Sequence, residues 1–162
     1  LSLHDALPIS TMLEEGQSMF AYPFKGYWRD VGTIQSLWEA NMDLINDPES
    51  VDLNDPQWRI YTNTNDVPPQ YIGPNASVKK SLIADGCRVY GTVRNTVLSH
   101  KVQIGEGSVV EDSVIMPNVK IGENVVIKKA MIAEGAVIED NAIIKDENDE
   151  ISVVSEFELV KA

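Results

Sequence analysis

The residue with the clearest chemical potential is Asp30. It lies in "GYWRDVGT", directly after Tyr27, Trp28 and Arg29 and just ahead of a Val-Gly-Thr turn. A carboxylate at a strand end can offer hard oxygen to Mg²⁺. The plainer alternatives are an ion pair with Arg29 or Lys25, or a cap on the turn, and one carboxylate does not make a metal site by spacing alone. Lys25 can reach a phosphate, although a lysine beside an aromatic run ordinarily faces solvent. Tyr27 and Trp28 read as packing residues before ligand stackers. His100, in "LSHKVQ", has the residue type of an acyl-transfer base. No inserted loop accompanies it to build an acceptor cleft, so it reads as an exposed turn histidine. The acidic run "EDNAIIKDENDE" lacks the glycine and terminal glutamate of a Ca²⁺ loop and reads as a solvated end to the fold. No Gly-rich phosphate loop, CxxC pair or nucleophile elbow occurs in the 162 residues.

Composition narrows the partners. Hydrophobic residues make up 43%, enough for a packed core, and no apolar run approaches the roughly 20 residues of a membrane span. The formal charge is −12, from 25 acidic and 13 basic residues, which argues against nucleic acid and anionic membranes as partners. Cys87, the single cysteine, excludes an internal disulfide and reads as a buried, inert thiol suited to a reducing cytoplasm. Residues 1–10, "LSLHDALPIS", have neither the basic start nor the apolar stretch of a signal peptide. They read as a non-native scar, His4 included.

Farther along the chain, Thr11 to Gly16 reads as the end of a short helix, with Gly16 its stop. "MFAYPF" and "GYWRDVGT" read as short strands followed by a turn. Thr33 is a good N-cap for a helix to about Ile45, with Leu37, Trp38, Met42, Leu44 and Ile45 on its apolar face. Residues 49–70 read as a linker in which "WRIYT" adds one more strand.

From Tyr71 the pattern changes to a repeat. "VRNTVL" at Val93, "VEDSVI" at Val110 and "IKKAMI" at Ile127 recur every 17 residues, and Ile144 opens a fourth unit. "VKKSLI" at Val78 fits the same template 15 residues before Val93. One aliphatic residue in every five or six positions is too sparse for an amphipathic helix. It suits short strands joined by tight turns, three to a coil, with successive coils pairing in parallel. Gly and Asn supply left-handed turn conformations, and Ser108, Ser113, Ala130 and Ala136 fit where the chain bends tightly. The fold class expected is mainly β: a left-handed parallel β-helix of roughly four coils over 71–162, preceded by an α/β remnant over 11–48. Ile121, Ile127, Ile132 and Ile138 should point inward.

Together, "AYPFKGYWRDVGTIQSLWEANMDLI", "WRIYT", "PPQYIGPNASV" and "VEDSVIMPNVKIGENVVIKKAMI" resemble the C-terminal part of bacterial glucose-1-phosphate adenylyltransferases (ADP-glucose pyrophosphorylases). The resemblance implies the reaction of ATP with glucose 1-phosphate to give ADP-glucose and pyrophosphate, a step of glycogen synthesis. It implies that Asp30 helps hold Mg²⁺, and that the β-helix serves regulation and assembly, generally as a tetramer. The family's N-terminal nucleotide-binding domain, with its phosphate loop and sugar-phosphate pocket, has no counterpart here. The chain is therefore expected to be a fragment, inactive alone. The alternative is a standalone β-helix assembly or regulatory module, and a hexapeptide-repeat acyltransferase ranks third. Sheet faces and the stretch from Trp58 to Ile72 are the expected contacts for self-association.

Overall fold

A computed structural model describes residues 7–49, 51–53, 55–61 and 66–162. Two helices precede a stack of short strands: α1 (Leu7–Glu14) and α2 (Ile34–Asn46). Gly16 follows the first of these with φ of +68°, as its residue type allows. Thr33 caps α2 in a reciprocal box: its Oγ1 accepts the Ser36 N–H, and Ser36 Oγ accepts the Thr33 N–H, both at 3.1 Å.

The remainder is a parallel β-solenoid. Its first face stacks β1 (Tyr71–Ile72), β4 (Arg88–Val89), β7 (Gln103–Ile104), β10 (Lys120–Ile121), β13 (Val137–Ile138) and β16 (Leu159–Val160). The second stacks β2 (Ser77–Lys79), β5 (Thr92–Arg94), β8 (Val109–Glu111), β11 (Val126–Lys128) and β14 (Ile143–Ile144). The third stacks β3 (Leu82–Ile83), β6 (Val97–Leu98), β9 (Val114–Ile115), β12 (Ala130–Ile132) and β15 (Ser152–Val154). Every pairing is parallel, and the register follows the repeat. Val78 pairs with Val93 across the short coil, then Val93 with Val110 and Val110 with Ile127. Ile121, Ile127, Ile132 and Ile138 all lie in the core, as the repeat predicts.

Left-handed backbone recurs at matching corners: Lys80, Asn95, Asp112 and Lys129 at one, Gly86, Lys101, Asn118 and Gly135 at another. Lysine and aspartate there accept a conformation that asparagine and glycine adopt more easily, because the ladder on either side fixes it. After the first of these corners a column of hydroxyls completes the ladder. The Thr96 N–H donates to Ser81 Oγ (3.2 Å), the Ser113 N–H to Thr96 Oγ1 (3.4 Å), and the Ala130 N–H to Ser113 Oγ (3.0 Å). Ser108, Ser113, Ala130 and Ala136 are all buried, as expected of residues at tight bends.

Three expectations change. "MFAYPF" and "GYWRDVGT" form no strand, because no partner strand lies beside them among the described residues; an isolated strand leaves its backbone groups unpaired. Residues 58–61 of "WRIYT" likewise form none, and Thr62 lies outside the described residues. The acidic run does not end the fold. It lengthens the last coil, so that Met131 pairs with Val153 and the chain goes on to β15 and β16.

Ser113 carries the corner prediction. Ser113→Ala leaves the buried Ala130 N–H without its acceptor and should cost about 1–3 kcal/mol, read from urea unfolding. A loss indistinguishable from zero would show that the hydroxyl column is incidental.

Candidate functional site

The Asp30 turn is tied to α2, and α2 to the solenoid. Asp30 is exposed, and its Oδ1 accepts the Gly32 N–H at 3.2 Å, so the carboxylate caps its own turn. It does not pair with Arg29. That guanidinium turns instead to two carboxylates one helical turn apart on α2. Nη1 meets Glu39 Oε2 at 2.5 Å and Nη2 meets Asp43 Oδ2 at 2.7 Å. The Tyr27 hydroxyl donates to the same Asp43 oxygen at 2.9 Å. Loss of water around the phenol, and then its bond to Asp43, push Tyr27 above its ordinary pKa. The Tyr27 side chain, opposed by partial loss of water and supported by Asp43, raises Arg29 further above its ordinary value.

The opposite face of α2 lies on the third face of the solenoid. Met42 is buried against Val114 and Met131, with Leu37, Trp38, Ile45, Val97, Met116 and Ile151 around them. Val97, Val114 and Met131 stand at one register position on β6, β9 and β12, pointing away from the solenoid interior. The Trp38 indole N–H donates to the Asp112 carbonyl at 2.8 Å, at a left-handed corner. Asn95 Nδ2 lies 3.9 Å from Met42 Sδ, and the Lys80 ammonium donates to Asn46 Oδ1 at 2.6 Å. This docking joins residues far apart in sequence, and neither the helical pattern nor the repeat announces it by itself. Its signal lies in the outward positions, which are apolar along this face, whereas the outward row on the first face sets Arg88, Gln103 and Lys120 between Tyr71 and Val137.

The other candidates named from the sequence lie apart from this cluster. Lys25 and Trp28 are exposed. His100 lies at a turn as expected but is half-buried, with its Nδ1 shut off from solvent, a correction to the exposed residue expected. Cys87 is buried as expected, and loss of water pushes its thiol pKa up, leaving it unreactive. Among the described residues no three His, Cys, Asp or Glu side chains gather as a metal site. Asp30 is an exposed carboxylate of the donor type that Mg²⁺ takes, able to supply one hard ligand, and the described residues supply no cluster to complete a site around it.

Fold and sequence together define the class. The chain belongs to the GlmU-like C-terminal hexapeptide family, whose model matches residues 70–157. The nucleotidyl transferase family model matches residues 3–47, the stretch that carries Asp30 and α2. The particular relatives follow from identity. The chain is 66% identical over 153 residues to the glucose-1-phosphate adenylyltransferase of Clostridioides difficile (strain 630), covering 94% of this chain and 40% of that protein. It is 58% identical over 108 residues to that of Desulforamulus reducens, covering 67% of this chain and 27% of that protein. For that of Bacillus thuringiensis (strain Al Hakam) the identity is 54% over 113 residues, 70% of this chain and 30% of that protein. The chain thus matches the C-terminal portion of these relatives and spans at most 40% of their length. The resemblance read from the sequence holds.

A second ion pair borders the start of α2. Lys129 Nζ meets Asp149 Oδ2 at 2.8 Å and also donates to the Asp149 carbonyl, beside Ile34 and Gln35. The ammonium lowers the Asp149 pKa, first through the hydrogen bond and then through charge. A folded pKa below the unfolded one gives stability that is full above the unfolded value and lost as pH falls through the folded one. Side-chain NMR titration should place Asp149 below an ordinary aspartate, and Lys129→Gln should return it to the ordinary range. An unchanged midpoint in that variant would remove Lys129 as the cause.

Proposed function

We propose that this chain is the C-terminal part of a glucose-1-phosphate adenylyltransferase, acting with a nucleotide-binding region like that of its relatives. In that reaction an oxygen of glucose 1-phosphate attacks the α-phosphorus of ATP, and pyrophosphate leaves as ADP-glucose forms. The observation that carries the reading is the 66% identity over 153 residues to a protein of that name. Further support comes from residues 3–47, which match the nucleotidyl transferase model and end in the helix seated on the solenoid.

In this reading Asp30 would hold Mg²⁺ through one carboxylate oxygen, and the bound cation would supply charge neutralisation at the phosphates. The solenoid serves regulation and self-association as a tetramer in the cytoplasm, in glycogen synthesis. Exposed Trp58, Ile60, Tyr61 and Tyr71 are the apolar side chains that such an assembly would cover. Among the described residues no helix is long and apolar enough to cross a membrane.

The 162-residue chain by itself should form no ADP-glucose from ATP, Mg²⁺ and glucose 1-phosphate above a protein-free blank, because positioning of the phosphates needs several groups acting together. A chimera carrying its matched segment in place of the C-terminal portion of the Clostridioides difficile relative should form it. An inactive but folded chimera would favour the assembly-module alternative. In the active chimera, Asp30→Asn should lower turnover about 100-fold. Parental turnover would leave Asp30 a turn cap alone. Sedimentation of the chimera at micromolar concentration should give a tetramer, and a strict monomer would refute assembly.

A further inference from the structure

The charge arrangement around Arg29 gives it a task that the turn itself cannot perform. A guanidinium next to Asp30 in sequence would ordinarily be its counter-ion. Here the two terminal nitrogens of its fork are taken by Glu39 and Asp43, and the Tyr27 hydroxyl donates to the same Asp43 oxygen that Arg29 meets. The fork spans two carboxylates on successive turns of one helix through two separate nitrogens held in one plane, a spacing that the single nitrogen of an ammonium does not have. All four side chains sit at the boundary between turn and helix, with Arg29 and Asp43 only 31% and 25% exposed. Asp30 therefore has no ion-pair partner among the described residues. Oδ1 is oriented by the Gly32 N–H, and Oδ2 has no protein donor among the described residues.

We propose that Arg29 is a positioning residue: clamped by Glu39 and Asp43, it fixes the Asp30 carboxylate relative to α2 while leaving it un-neutralised for a divalent cation. This inference rests on the reading of Asp30 as a metal ligand. Because the opposite face of α2 is seated on Val114 and Met131, the clamp also refers the carboxylate's position to the solenoid. The device is a chain of contacts from coil to helix to guanidinium to turn. Groups that hold a metal ligand in place characteristically change metal affinity when lost, even though they never touch the ion.

The test uses the chimera described above, with Mn²⁺ as the probe in place of Mg²⁺ and nucleotide present. Mn²⁺ affinity is read by electron paramagnetic resonance, and the Mg²⁺ concentration giving half-maximal turnover is measured alongside. Arg29→Lys keeps the charge but replaces the planar two-nitrogen fork with a single ammonium. It should weaken Mn²⁺ binding about tenfold and raise the Mg²⁺ requirement in parallel. Thermal unfolding should stay close to parental. Asp30→Asn is the reference. If Asp30→Asn weakens Mn²⁺ binding and Arg29→Lys leaves it within about twofold, well short of the loss such groups cause, the clamp is overturned and the metal reading of Asp30 stands. If Asp30→Asn itself leaves Mn²⁺ affinity unchanged, both fall. A variant Glu39→Gln with Asp43→Asn removes the anchors without touching the turn and should reproduce the Arg29→Lys loss; parental affinity in it would likewise overturn the clamp.

Discussion

The hydrogen bonds between successive coils hold the rest of this molecule in place. Each two- or three-residue strand is far too short to persist alone, and each becomes stable only when its N–H and C=O groups meet the coils before and after it. That ladder fixes the register, and the register puts one aliphatic column inside each face: Val89, Ile104, Ile121 and Ile138 on the first, Val93, Val110 and Ile127 on the second. It also forces Lys80, Asp112 and Lys129 into a backbone conformation that their side chains disfavour. The strain is tolerated because the same corner repeats above and below, braced by hydroxyls from Ser81, Thr96 and Ser113.

A regular solenoid also produces a regular exterior, and one of its three faces has been put to use. Val97, Val114 and Met131 form an outward apolar row, onto which α2 lowers Met42 and Trp38. The Asp112 carbonyl sits where the chain turns a corner, and the indole N–H finds its acceptor there. The helix is thus held by both apolar contact and a directional bond. From its far side it presents Glu39 and Asp43 to Arg29. The turn carrying Asp30 is positioned by elements lying in a different part of the sequence and matched by a different family model.

Local and periodic signals carry most of the fold in the sequence. Thr33 announces its helix through hydrogen bonds made within three residues, and the inward isoleucines announce the coil through spacing alone. Asp30 is identifiable as a chemical candidate, and the cap it places on its own turn is among the readings the sequence offers, but the diversion of Arg29 to α2 is not. That choice is decided by where Glu39 and Asp43 face once the helix is seated, which no local pattern encodes. The strand readings around Phe20 and Trp28 fail for a related reason. β-favouring residues form a strand only beside another strand, and here Phe20 is 95% and Trp28 76% exposed. The acidic run near Asp146 reads as an end because charge density marks a loop without saying whether the ladder resumes after it.

Everything at the Asp30 turn depends on the solenoid holding α2 through its third face. Native-state hydrogen exchange on the intact chain exposes that dependence, comparing parental protein with Met131→Asp, which puts a carboxylate under the helix while leaving the inward columns untouched. Amides from Leu37 to Ile45 should lose their protection together while those of Val110 and Ile127 retain theirs. Helix amides as protected in Met131→Asp as in the parental chain would show that α2 does not need the solenoid.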